Sequence, residues 1–166
     1  NIDSNQTIVN GYELNSYYEY LPDVVGAISL YGRAANSFGD DDVRISDRLY
    51  LPSKKLRGFE PGKIGPVDNG DFIGGNFNTA LNISSELPIL ESMETTSFNV
   101  FFDVANVWGV DYSSAINDSS AIRSATGIGI DWYTPVGPLS FTLSQPIAQK
   151  STDKTESFRF NLGTTF

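Results

Sequence analysis

Apolar and polar positions alternate with a period of two along most of this chain, and no segment of useful length keeps a helical period. From Phe72 to Leu87 the odd positions Ile73, Phe77, Leu81, Ile83 and Leu87 are apolar. The even positions Gly74, Asn76, Asn78, Asn82, Ser84 and Glu86 are small or polar. The pattern predicts a strand with one greasy and one wet face. Burying those amides and the carboxylate in a dry core would be costly, and a water-lined lumen removes the cost. Further strands are predicted at Thr96–Trp108, Ile122–Thr134, Leu139–Ser144 and Phe158–Phe166. In the first of these Phe98, Val100, Phe102 and Val104 face outward, while Ser97, Asn99, Phe101, Asp103 and Ala105 face inward. In the last, Phe158, Phe160, Leu162, Thr164 and Phe166 oppose Arg159, Asn161, Gly163 and Thr165. Weaker alternation marks Tyr12–Leu21, Val24–Ala34 and Ile45–Lys55, the last weakened by Pro52. That makes about eight strands, each near the ~9–11 residues of a tilted bilayer crossing. Short links at Leu87–Thr95 and Pro135–Pro138 alternate with long ones at Ala35–Arg44, Glu60–Asp71, Gly109–Ser120 and Ala148–Lys154. Short turns on one side and long loops on the other are the habit of transmembrane barrels.

Composition agrees with a sheet protein. Hydrophobic residues make up 40% of the 166 positions, charged residues 19% and aromatics 13%, so the chain can fill a core and is not a disordered composition. No apolar run approaches the ~20 residues of a membrane helix. A membrane role therefore requires a closed barrel or part of one. Trp108, Trp132 and Tyr133 near strand ends suit an interfacial aromatic belt. The formal charge of −9 argues against nucleic acid. Acids such as Asp40, Asp41 and Asp42 fall in loops and read as solvated. The chain has neither Cys nor His, which excludes disulfides, thiolate sites, Ser-His and Cys-His catalysis and the common zinc sites. Asp111, Asp118 and the Asp40–Asp42 run do not follow an EF-hand pattern, and no cofactor is implied. The first residue is Asn1, so the expectation is a segment of a longer protein.

An ordered series of short motifs narrows the reading. It comprises Leu-Arg-Gly-Phe at 56–59, Ile-Gly-Pro at 64–66, Gly-Gly-Asn at 74–76 and Phe-Phe-Asp-Val-Ala-Asn-Val-Trp at 101–108. Trp132 with Thr-Pro-Val-Gly-Pro-Leu at 134–139, Gln145-Pro146 and the closing Phe-Arg-Phe-Asn-Leu-Gly-Thr-Thr-Phe complete it. From about Val24 to Phe166 the chain resembles the BamA-type outer-membrane protein assembly factors. Their superfamily also holds TamA and the two-partner secretion transporters.

The resemblance implies an all-β, antiparallel transmembrane barrel segment over residues 1–166, the C-terminal half of a barrel of about sixteen strands. The POTRA domains of that family are absent from the sequence. Isolated, such a segment either closes as a small eight-strand barrel or pairs as a homodimer of half-barrels. The resemblance further implies a loop carrying Leu56, Arg57, Gly58 and Phe59 that folds into the lumen, with Glu86 and Asp103 on the inner wall as partners of Arg57. Both acids lie on inward parity, and a guanidinium can bridge two carboxylates. The strand with Phe158, Phe160, Leu162, Gly163 and Phe166 is implied to border a lateral gate where an incoming strand pairs. By the same resemblance Gly163 matches a glycine where that strand bends, or else only spares room in the lumen, and Phe166 matches the terminal aromatic read during assembly. The implied function is non-enzymatic folding and insertion of nascent β-barrel proteins in the bacterial outer membrane, with accessory lipoproteins of the complex as further partners. Two other classes compete: a related secretion transporter or small structural barrel, and a soluble β-sandwich binding module.

Overall fold

The computed structural model describes residues 6–38, 42–90, 95–116, 120–135 and 137–162. Among the described residues nine strands form: β1 (Thr7–Leu21), β2 (Val24–Ser37), β3 (Val67–Asp68), β4 (Asp71–Phe72), β5 (Phe77–Leu87), β6 (Thr96–Trp108), β7 (Arg123–Thr134), β8 (Gly137–Ala148) and β9 (Phe158–Leu162). Seven of them build one antiparallel sheet in the order β1-β2-β5-β6-β7-β8-β9, and β3 and β4 form a separate hairpin. The sheet is open, with β1 and β9 at its edges. Among the described residues no helix is long and apolar enough to cross a membrane. Strands such as the 11-residue β5, rising ~3.3 Å per residue and tilted ~45°, span roughly 25 Å, a hydrocarbon thickness.

Register settles which side chains share a face. Asn82 pairs with Ser29 and Asp103, Asp103 with Ala125, Gly127 with Ser144, and Thr142 with Arg159, so these residues line one inner face. The adjacent phenylalanines of β6 show the contrast: Phe101 is 3% exposed and Phe102 38%. The outer face stays apolar and uncovered, with Leu30, Ile83, Ile128, Leu143, Phe158, Phe160 and Leu162 all exposed. An apolar face of that extent suits lipid. Trp132 faces outward near the short-turn end, whereas Tyr133 lines a cavity on the inner face.

Two sequence-based expectations change here. Ile45–Lys55, expected as a strand, instead holds two short 3-10 turns, Ile45–Asp47 and Ser53–Lys55, with Pro52 at the start of the second. Proline lacks the N–H that a sheet ladder needs. Leu49 and Leu51 do alternate, but they bury against the inner wall rather than face lipid. Among the described residues the main sheet therefore has seven strands, where the sequence suggests about eight, and it is open. The strand expected from Phe72 begins at Phe77, because Gly74 (φ 70°) and Gly75 carry the returning chain across the wall, where Gly75 bridges Leu49.

Because β2 pairs directly with β5, everything between Phe38 and Asn76 is a single excursion. It leaves the same end of the sheet as the long links after β6 and β8, and the turns after β1, β5 and β7 lie at the other end. This excursion folds onto the inner face. Leu51, Leu56, Phe59 and Ile64 from the loop form one buried cluster with Tyr31, Ala80, Ala105, Val107 and Ala125 from the wall. Each large side chain so buried contributes ~1.5–3 kcal/mol.

Candidate functional site

The root of the excursion is fixed first. Arg48, fully buried at its side chain, donates to the Val43 carbonyl (3.1 Å) and to Asp111 (2.8 Å). Asp111 also accepts from the Val43 N–H and the Asn76 amide, both at 2.9 Å. Burial acts to raise the Asp111 pKa and is the largest single influence. Donors from Val43, Asn76, its own backbone and Arg48 together outweigh it and hold the carboxyl below its usual range. A carboxylate whose pKa is lowered by folding stabilises the fold above its unfolded pKa, and that contribution fades as pH falls through the folded value. Protease sensitivity of residues 42–49 is therefore expected to rise as pH drops below about 4. In Asp111→Asn it should be higher at neutral pH and less dependent on pH.

Next along the loop, Lys55 reaches Glu13 of β1 (2.6 Å) and Ser29 of β2 (3.1 Å), and lies over the Tyr31 ring. The Arg-Gly-Phe tip follows. Arg57 grips Asp103 through both sides of its fork: Nε to Oδ2 and Nη2 to Oδ1, each 2.8 Å. Its backbone N–H adds a third bond to Oδ2 at 3.0 Å. The Asp103 side chain is fully buried, and Asn82 donates to its Oδ1 (2.9 Å) while also holding the Lys55 carbonyl. The guanidinium stacks 3.6 Å above the Phe101 ring. Bidentate geometry, burial and ring stacking make this the strong kind of ion pair.

Gly58 takes φ +90°, and a Cβ there would meet the Ala125 Cβ at 3.0 Å. Only glycine fits both the dihedral and the approach to β7. Gly58→Ala should cost at least ~1 kcal/mol, read as a lower unfolding midpoint of the lipid-embedded protein. Phe59, 2% exposed, completes the anchor, and its backbone bridges Thr155. The Glu60 N–H donates to the Lys154 carbonyl and the Glu156 N–H to the Gly58 carbonyl, both at 3.0 Å, so the link between β8 and β9 clasps the tip from behind.

A second buried pair supports that link. Arg123, 1% exposed, forks onto Asp153 at 2.9 and 3.0 Å, and its Nη1 reaches Asn106 (2.6 Å) and the Ala121 carbonyl (2.9 Å).

The structure brings Leu56, Arg57, Gly58, Phe59 and Asp103 together, but not Glu86. All Arg57 hydrogen bonds among the described residues go to Asp103, and Glu86 is exposed toward the short-turn end. It has the inward parity, yet it sits four residues beyond Asn82, roughly 13 Å along β5. Asn82 takes the place expected for Glu86. Phe158, Phe160 and Leu162 point outward on β9, and Gly163 and Phe166 lie outside the described residues. Asn82, Arg123, Asp153 and Arg159 were not singled out from sequence. Each is a polar residue on an inward parity or in a loop, the only signal available. Below the loop tip the inner face opens into a polar cavity of about 530 Å3 lined by Arg57, Asn99, Asp131, Ser140 and Arg159. Among the described residues no group of three or more acids gathers to hold a metal. The arrangement is a latch between a loop and a wall.

Comparisons with known proteins agree with this arrangement. The model of the Omp85 superfamily domain matches residues 4–166. The chain is similar to the outer membrane protein assembly factor BamA of Neorickettsia risticii, 29% identical over 153 residues, covering 87% of this chain and 20% of that protein. It is also similar to BamA of Neisseria meningitidis, 30% identical over 141 residues, covering 67% of this chain and 17% of that protein. It thus spans about a fifth of the length of these relatives. The crystal structure of Haemophilus ducreyi BamA lacking POTRA domains 1-3 superimposes with a TM-score of 0.83 at 26% identity, covering 94% of this chain and 34% of that one. The lipid-ready outer face and these relatives place the chain in the bacterial outer membrane. With an antiparallel membrane sheet, an inserted Arg-Gly-Phe loop and a family model matching nearly its whole length, the chain belongs to the Omp85 superfamily.

Proposed function

We propose that this chain is a barrel segment of an outer-membrane assembly factor that folds and inserts nascent β-barrel proteins. The supporting observation is the latch, in which Arg57 and Phe59 seat a long loop against the inner wall of a sheet whose other face is apolar. Lipid cannot satisfy the open edges at β1 and β9. The remaining strands of the longer protein supply partners for them, and its POTRA domains receive substrate. The segment performs no bond chemistry. It lowers the barrier to insertion by templating an incoming strand along an edge and by perturbing nearby lipid, with the loop held by Arg57 and Asp103. Phe158, Phe160 and Leu162 belong to the gate strand, and Gly163 and Phe166 are proposed to continue it. Accessory lipoproteins act on other parts of the protein.

The test is insertion of an unfolded barrel protein into liposomes that contain the full-length protein. Faster appearance of protease-resistant, folded substrate than in empty liposomes supports the reading, and equal rates contradict it.

A further inference from the structure

Arg159 is the inward-facing cation of β9, and it does more than line the lumen. Its Nε meets Glu156 at 2.8 Å, its Nη1 the Ser53 carbonyl at 3.0 Å and its Nη2 the Phe59 carbonyl at 2.6 Å. The side chain is 14% exposed. Two of its three partners are therefore backbone oxygens of the inserted loop, on either side of Arg57. The planar fork of arginine suits this three-way grip, and a lysine could not reproduce it. Among the described residues the strand carrying it has a neighbouring strand on one side. β9 is an edge strand, and its described ladder to β8 runs only from Leu143↔Phe158 to Leu139↔Leu162. Its outward residues Phe158, Phe160 and Leu162 are all exposed.

We propose that Arg159 couples β9 to the loop tip, so that β9 is free to shift only when the loop loosens, and the loop is fully seated only when β9 is in place. Two elements that share a clamp bias each other reciprocally. The use of this coupling, to release an edge strand for an incoming chain, rests on the proposed function; the coupling itself does not. Among the described residues Arg57 makes its hydrogen bonds and ring contact with β6, not with β9, yet through the loop it belongs to the same unit.

The test is hydrogen exchange of the full-length protein in lipid, comparing wild type with Arg159→Ala, Arg159→Lys and Arg57→Ala. Exchange is followed in loop residues 53–60, in strand residues 158–162 and, as a reference, in β5 and β6. Arg159→Ala should speed exchange in both loop and strand on the order of tenfold, with Arg159→Lys in between and the reference strands unchanged. Arg57→Ala should speed the strand segment as well as the loop. An unchanged strand segment in Arg57→Ala, or an unchanged loop in Arg159→Ala, overturns the coupling. If Arg159→Ala loses protection everywhere, Arg159→Lys and Arg57→Ala decide by the same criteria. The assembly rate is measured in parallel. Coupled exchange with normal assembly in Arg159→Ala removes the gating use and leaves the assembly function standing. Coupled exchange in a wild type that assembles nothing removes the assembly function and leaves the coupling.

Discussion

Asp103→Ala is expected to release the inserted loop at a cost of ~3–5 kcal/mol, the usual penalty for breaking a sequestered ion pair. The mechanism is specific. Asp103 accepts four donors: two from the Arg57 fork, the Arg57 backbone N–H and the Asn82 amide. Alanine leaves all four facing a cavity in a wall that is fully buried at that position. Arg57→Ala removes one cation but also strips the stacked cover from Phe101. A double-mutant cycle in the full-length protein separates these effects. If Arg57 and Asp103 act as one unit, the double variant should be little worse than either single, as read from the urea midpoint and from protease cleavage within residues 42–76. Strict additivity would mean that the two side chains stabilise the loop independently.

Arg123→Ala is expected to cost a similar ~3–5 kcal/mol, but at another place. Both partners of the Arg123–Asp153 pair are buried, at 1% and 0% exposure. Without the guanidinium, Asp153 loses both fork bonds and keeps the Lys150 N–H at 2.7 Å, and Asn106 loses its 2.6 Å donor. A carboxylate left without its cation at that depth is costly and would pull the link between β8 and β9 away from the wall. Since that link clasps the loop tip at Gly58 and Glu60, protection of residues 56–60 should fall too. The contrasting variant is Arg123→Met with Asp153→Leu. Replacing a whole buried pair by apolar groups of like volume is often neutral. The double variant should therefore regain most of the stability that Arg123→Ala loses. A double variant as unstable as Arg123→Ala would point to the Asn106 and Ala121 contacts as the main contribution instead.

The sheet was legible where both faces are committed. In β6 the alternation of Phe98, Val100, Phe102 and Val104 against Asp103 and Ala105 predicts the observed bounds, Thr96–Trp108, because lipid and lumen impose opposite demands on neighbouring residues. The loop was less legible. Leu49 and Leu51 alternate as a strand would, and nothing local says whether an apolar residue will meet lipid or the inner wall. Glu86 shows a second limit. Parity places a side chain on a face but not at a height, and the height of the Arg57 tip depends on where a long excursion turns. That turn is fixed by remote contacts such as Arg48 with Asp111 and Phe59 with Thr155. Arg159 shows a third: a lone cation on a polar parity looks the same from sequence whether it is solvated or grips two loop carbonyls.

The most direct measurement on the central claim, that the loop is seated on the inner wall through Arg57, is the exchange rate of the Arg57 amide in the full-length protein in lipid. Its N–H donates to a fully buried carboxylate. The expected result is protection comparable to the amides of β6, lost in Asp103→Ala. Exchange at the rate of an open surface loop in the wild-type protein would contradict it.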